Sequence, residues 1–205
     1  MVKFHYTFIF NPMMIMSMFF LMLSSMLVIS SSNWMIIWLM MELNMLMLIP
    51  LLNFKNMNNE SESSIKYFLC QALGSIMLIY STISMDSKIF MYFILMLALS
   101  MKIGSFPCYF WFISVMKSSN WLSCTILMTW QKIAPMFMVS KFLIQLNNSM
   151  LLIALINVMI GGMFGMNQSD MRCLLAYSSL AHLGWMFSLS YYYLYMYMWA
   201  YFIIY

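Results

Sequence analysis

The chain has 205 residues, 65% of them hydrophobic and only 7% charged, with a mean hydropathy of +0.89. Soluble globular domains carry roughly 25% charged residues, so this composition excludes one and indicates an integral membrane protein. Lys+Arg 9 against Asp+Glu 5 leaves a net charge of +4 with no basic block, which excludes a nucleic-acid surface.

A spanning helix needs about 20 mainly apolar residues. Eight candidate segments follow one another, over about 10–31, 33–54, 64–84, 88–107, 121–142, 149–167, 173–190 and 191–205. Runs of this length without two-residue alternation predict helices, because lipid leaves the backbone only helices or closed barrels. The first segment has neither a cleavage site nor an Arg- and Ser-rich leader, so it is expected to remain as a span.

Polar residues gather in the connectors. Asn53 to Ser64 holds Lys55, Glu60 and Glu62, Ser84 to Lys88 holds Asp86, and Asn147 to Ser149 and Asn167 to Arg172 read as further turns. Connectors this short make neighbouring helices antiparallel. Lys and Arg are divided among them without bias, so they do not orient the chain. The last segment holds seven of the 13 Tyr between Tyr191 and Tyr205, yet its 15 residues are too few to cross. The expected architecture is one all-α transmembrane domain over residues 1–205, a polytopic bundle of about eight helices, some broken, cut from a longer protein whose C-terminal part is missing.

The 30 Met occupy positions where Leu or Ile would serve, as in Met45-Leu46-Met47-Leu48. A biased codon pool, as in an AT-rich organelle genome, accounts for them. A thioether-lined copper path would concentrate Met at one face or terminus; the scatter sets it aside. Cys70, Cys108, Cys124 and Cys173 show no short paired spacing, and His occurs only at His5 and His182. No ligand cluster for zinc, haem or an iron–sulfur centre follows, so this chain is expected to bind no metal or redox cofactor.

Three charges fall inside apolar segments, where an ionisable group costs at least roughly 2.5–3.5 kcal/mol on insertion scales. Glu42 lies near the middle of the second segment, in Trp38-Leu39-Met40-Met41-Glu42-Leu43-Asn44. It either packs as a neutral carboxyl with Asn44 or faces the interior as a carboxylate acting on a neighbouring base. Lys102 lies in Ser100-Met101-Lys102-Ile103-Gly104-Ser105-Phe106-Pro107. Pro107 has no N–H to donate and its ring clashes with the Ile103 carbonyl, while Gly104 lets the chain bend. A broken helix with freed carbonyls is expected there, and such backbone needs cover from protein or water. A lysine snorkelling to the surface is the alternative. Lys132 repeats the pattern in Trp130-Gln131-Lys132-Ile133-Ala134-Pro135. Lys66, after Glu62, is either an interfacial lysine with a partner at the helix start or a further station. Two unit charges about 10 Å apart interact by roughly 1.7 kcal/mol at an effective dielectric near 20, so one group can bias the charge state of another. Lysines alternating with water along a broken helix would relay protons.

These residues resemble a known family. The run around Glu42, Ser64-Ile65-Lys66-Tyr67-Phe68-Leu69-Cys70-Gln71-Ala72, Met101-Lys102-Ile103-Gly104, Thr129-Trp130-Gln131-Lys132-Ile133-Ala134-Pro135, and Leu174-Leu175-Ala176-Tyr177-Ser178-Ser179 with His182-Leu183-Gly184-Trp185 are similar, in order and spacing, to the antiporter-like subunits of mitochondrial respiratory complex I, in particular its chain 2 branch. The resemblance runs from about Asn11 to Leu189. It implies a core membrane-arm subunit of proton-pumping NADH:ubiquinone oxidoreductase in the mitochondrial inner membrane. It also implies other membrane-arm subunits as partners, with NAD and ubiquinone used elsewhere in the complex. The implied proton relay is Glu42, Lys102 and Lys132, with Lys66 and His182 as weaker members. The implied architecture is two inverted five-helix repeats, the first over about 10–142 and the second begun in 149–205. Tyr109 stands where the family often has histidine, and Cys173 where it usually has lysine. Beside this reading stand a stand-alone cation/proton antiporter of the same fold and a structural membrane-arm protein whose charges only fix packing.

Overall fold

The computed structural model describes residues 12–53, 57–83, 88–142, 147–192 and 194–205. His5, Asn11, Lys55 and Asp86 lie outside them. The described residues form helices and connecting turns, with no strand: α1 Pro12–Ser30, α2 Trp34–Leu52, α3 Asn58–Ile83, α4 Lys88–Ile103, α5 Phe110–Ser118, α6 Trp121–Met128, α7 Trp130–Phe142, α8 Asn147–Gly165, α9 Met171–Tyr191 and α10 Tyr195–Ile204. An all-α membrane bundle is what the apolar runs predict. Its surface carries large apolar side chains such as Met16, Phe19, Ile76 and Leu152, all more than half exposed. Water does not favour such a surface, and lipid does. By length and composition α1 and α2 are each long and apolar enough to cross a membrane.

Several boundaries differ from the sequence reading. α3 starts at Asn58, so Glu60 and Glu62 belong to its first turns rather than to a connector. Acidic side chains suit the positive end of a helix dipole, which extends the helix past the last apolar residue. Asn147 to Ser149 likewise opens α8, and Met171 and Arg172 open α9, instead of forming turns. The 88–107 segment stops at Ile103, and a helix that apolar-run counting passed over, α5, follows the break. The 121–142 segment is two helices, because the chain breaks at Thr129 (φ −105°, ψ −75°). Pro135, expected to break the chain after Lys132, sits inside the continuous α7.

Side-chain bonds show how the elements run. Along α3, Gly74 lies against Met101 and Lys102, Gln71 meets Lys102, Tyr67 meets Trp111, and Glu60 meets Asn120. Rising numbers on one side pair with falling numbers on the other, so α4, the break and α5 form one antiparallel track along α3. The chain then returns through α6 and α7, with Trp130 donating to the Leu21 carbonyl at 3.1 Å and Lys141 to the Ser31 carbonyl at 3.5 Å. α7 therefore runs parallel to α1. α8 and α9 pack so closely that a Cβ at Gly184 would come within 2.6 Å of the Ala154 carbonyl oxygen. Small residues permit this backbone approach where no hydrophobic force joins helices in lipid. Serines such as Ser17, Ser24, Ser63, Ser81 and Ser179 donate to carbonyls three residues back, which keeps their hydroxyls satisfied without water.

Candidate functional site

The site is built on the end of α4. Gly104 has φ +75°, a left-handed conformation that glycine adopts without strain and that ends a helix. The N–H groups of Gly104 and Ser105 both donate to the Ser100 carbonyl at 3.0 Å. The carbonyls set free by the break find side-chain donors. Gln71 Nε2 donates to the Lys102 carbonyl at 3.0 Å, and Trp111 Nε1 to the Met101 carbonyl at 3.0 Å. Neither partner follows from local sequence, since both arrive by packing.

Lys102 is buried, its side chain 3% exposed, with Nζ 4.0 Å from Glu42 Oε1. Among the described residues neither atom has a hydrogen bond. Lys102 therefore does not snorkel. Asn44 does not hold the Glu42 carboxylate; it accepts a hydrogen bond from Gln131 Nε2 at 3.2 Å. At an effective dielectric near 20, unit charges about 4 Å apart attract by about 4 kcal/mol, from which desolvation is subtracted.

Between Lys102 and α7 lies a cavity of about 10 Å³, lined by Met41, Asn44, Met45, Tyr67, Gln71, Lys102, Gln131, Ala134 and Pro135. That is room for about one water molecule, and the polar lining supplies the partners a buried water needs. Tyr67 Oη stands 3.4 Å from Gln131 Oε1 as its donor. The polar seam thus runs from Glu42 and Lys102 past the cavity to Gln131, whose neighbour in sequence is Lys132.

Lys132 is 1% exposed. Its Nζ has no hydrogen-bond partner among the described residues and lies 5.1 Å from the Phe112 ring centroid and 5.8 Å from that of Tyr205. Ring faces attract a cation, though less than a carboxylate does. His182 belongs to the far side of this group: Nδ1 lies 2.7 Å from Tyr201 Oη, and its ring is 4.7 Å from that of Tyr205. Lys66 is elsewhere. It pairs with Glu62 one turn back, with side-chain exposures of 43% and 57%, in the geometry of an interfacial lysine with a helix-start partner. Tyr109 is buried and stacked on Phe110, and Cys173 is buried in α9. No group of three or more His, Cys, Asp or Glu side chains able to hold a metal occurs among the described residues.

The model of the family described as NADH:quinone oxidoreductase/Mrp antiporter, TM, matches residues 31–88 and 84–205. NADH-ubiquinone oxidoreductase chain 2 of Lumbricus terrestris is 47% identical over 187 residues, covering 88% of this chain and 56% of its own length. Chain 2 of Locusta migratoria is 37% identical over 186 residues, covering 87% and 54%. The chain thus spans about half the length of the curated relatives it matches. A chain from the structure of the membrane-bound sulfane sulfur reductase, an archaeal respiratory membrane complex, superimposes with a TM-score of 0.73 at 14% identity, over 85% of this chain and 42% of that one. At that identity the likeness is one of fold.

Proposed function

Because this chain belongs to the NADH:quinone oxidoreductase/Mrp antiporter membrane family, we propose that it is part of a core membrane-arm subunit of proton-pumping NADH:ubiquinone oxidoreductase, moving protons through Glu42, Lys102 and Lys132. The observation that carries the proposal is the buried Lys102 ammonium, 4.0 Å from Glu42 and beside a polar cavity that leads to Gln131. When Glu42 is neutralised or drawn away, the attraction holding the proton on Lys102 is lost. The proton then passes through water in the cavity, ordered by Asn44, Tyr67 and Gln131, towards Lys132. Among the described residues Lys132 has no carboxylate partner to retain its proton, which suits a station that gives it on. His182 with Tyr201 extends the same line, while Lys66 is peripheral to it.

Each proton moved against the membrane potential costs about 2.3 kcal/mol per 100 mV. No group in this chain supplies that, so the energy comes from redox chemistry in partner subunits, where NAD and ubiquinone are used. The proposed setting is multi-pass in the mitochondrial inner membrane, beside other membrane-arm subunits. Residues from about 10 to 142 are the proposed first five-helix repeat, with α4 and α5 counted as one broken helix and α6 and α7 as another, and 149–205 open an inverted second one.

The test joins native electrophoresis to proton pumping. The subunit is expected to migrate with a large respiratory complex. Lys102→Met and Glu42→Gln should leave the complex assembled and lower its proton-pumping rate at least about tenfold, given what positioned proton-transfer groups contribute. Migration only as a small free protein would favour a stand-alone cation/proton antiporter. Normal pumping in both variants would leave these charges a packing role.

A further inference from the structure

The α4 break is held from two sides. Gln71 and Trp111 hold its carbonyls from the α3 and α5 side. On the other side the Phe106 N–H donates to Asn157 Oδ1 at 2.8 Å, across 51 residues of sequence. Asn157 is fully buried and sits in the apolar run Leu151-Leu152-Ile153-Ala154-Leu155-Ile156-Asn157-Val158-Met159-Ile160. An amide in such a helix is costly unless it is bonded, and leucine would serve packing alone. Asn157 Nδ2 and the fully buried Ser105 Oγ have no hydrogen-bond partner among the described residues. A cavity of about 10 Å³ adjoins Ser105, with Ser100, Ile103, Met150 and Phe187 among its lining. The α4 end is therefore not packed solid against α8 and α9.

Between Ser105 and Tyr109 no helical ladder fixes the chain; apart from the turn bond of the Cys108 N–H to the Ser105 carbonyl at 2.8 Å, the Asn157 bond is what ties this stretch to another helix. We propose that Asn157 is a positioning residue for Lys102: by holding the Phe106 amide it ties the end of α4 to α8, so that a shift of α8 against α4 moves the Lys102 ammonium relative to Glu42. This rests on the proton role proposed for Lys102. α8 thus acts on the Glu42–Lys102 pair without touching either group, and Asn157 itself carries no proton.

The experiment compares Asn157→Leu, which removes the acceptor, with Asn157→Asp, which keeps an oxygen at the same atom. Both are read in membranes by the amount of assembled complex and by the proton-pumping rate during NADH oxidation. Leu should lower the proton-pumping rate at least about fivefold at an unchanged amount of complex, the scale set by leaving a buried N–H without an acceptor. Asp should keep it within about twofold. Wild-type pumping in Asn157→Leu, or equal damage in both variants, overturns the inference. If Leu blocks assembly, hydrogen exchange of residues 104–109 in Asn157→Ala decides. Faster exchange there, absent from Asn157→Asp, supports the tether, and unchanged exchange overturns it. Lys102→Met is run alongside. Impaired pumping there with a normal Asn157→Leu removes only this inference, whereas normal pumping in Lys102→Met removes the reading beneath it as well.

Discussion

Lys102 and Lys132 have nearly the same flanks, Lys-Ile-Gly and Lys-Ile-Ala with a proline shortly after, and they end in different surroundings. At Lys102 the helix stops one residue on, and a carboxylate stands 4.0 Å away. At Lys132 the helix continues through Pro135, and the ammonium faces the ring of Phe112. The difference lies in one methyl group and in position along the helix. Gly104 accepts φ +75°, which Ala134 would take only under strain. Pro135 comes early in α7, where its missing N–H costs one interior bond, and the break falls before the lysine, at Thr129. A motif repeated in sequence thus ends one helix and lies inside another, with a buried lysine in each.

The sharpest way to break this comparison is Gly104→Ala. Its Cβ would come within 2.7 Å of Phe112 Cβ, at a backbone angle side chains disfavour. A loss of about 1–3 kcal/mol is expected, read as a several-fold fall in assembled complex on native gels. Ala134→Gly should cost about 1 kcal/mol or somewhat more, since it lies within a helix and is fully buried. Equal effects would mean that the left-handed glycine is not what separates the sites.

Lys132→Met sharpens the contrast at smaller cost. It removes a buried cation that has no carboxylate partner among the described residues, so thermal stability of the complex should hold or rise by about 1 kcal/mol. Pumping should fall as in Lys102→Met, which in addition leaves Glu42 without its cation. A stability loss at Lys132 as large as that at Lys102 would count against the two environments being different. The smallest effect belongs to Lys66→Met. Its exposed pair with Glu62 is worth no more than about 0.5 kcal/mol, and pumping should stay at the wild-type rate. A clear pumping defect there would move Lys66 into the relay.

Particular residues show what could be read beforehand. Glu42, Lys102 and Lys132 stood out because charge is rare in apolar segments; both lysines are buried, and Glu42 is partly buried with its Oε1 turned to Lys102. The break after Lys102 was legible because glycine and proline act on their own backbone. α5 was not, because Phe110–Ser118 is short and follows a turn, so counting long apolar runs passes over it. Gln71, Trp111 and Asn157 carried one faint signal, a polar or indole group inside an apolar run. Nothing local named the carbonyl or amide each would meet, 31, 10 and 51 residues away.

Composition and periodicity alone determined that this chain is a helical membrane protein with three charges inside its apolar segments, since insertion into lipid acts on each segment nearly independently of the rest. Tertiary structure alone decided which charge meets which, where α6 parts from α7, and what holds the opened end of α4. Those outcomes depend on distant helices arriving side by side, and a distance of a few ångströms between residues far apart in sequence leaves no mark on the residues around either one.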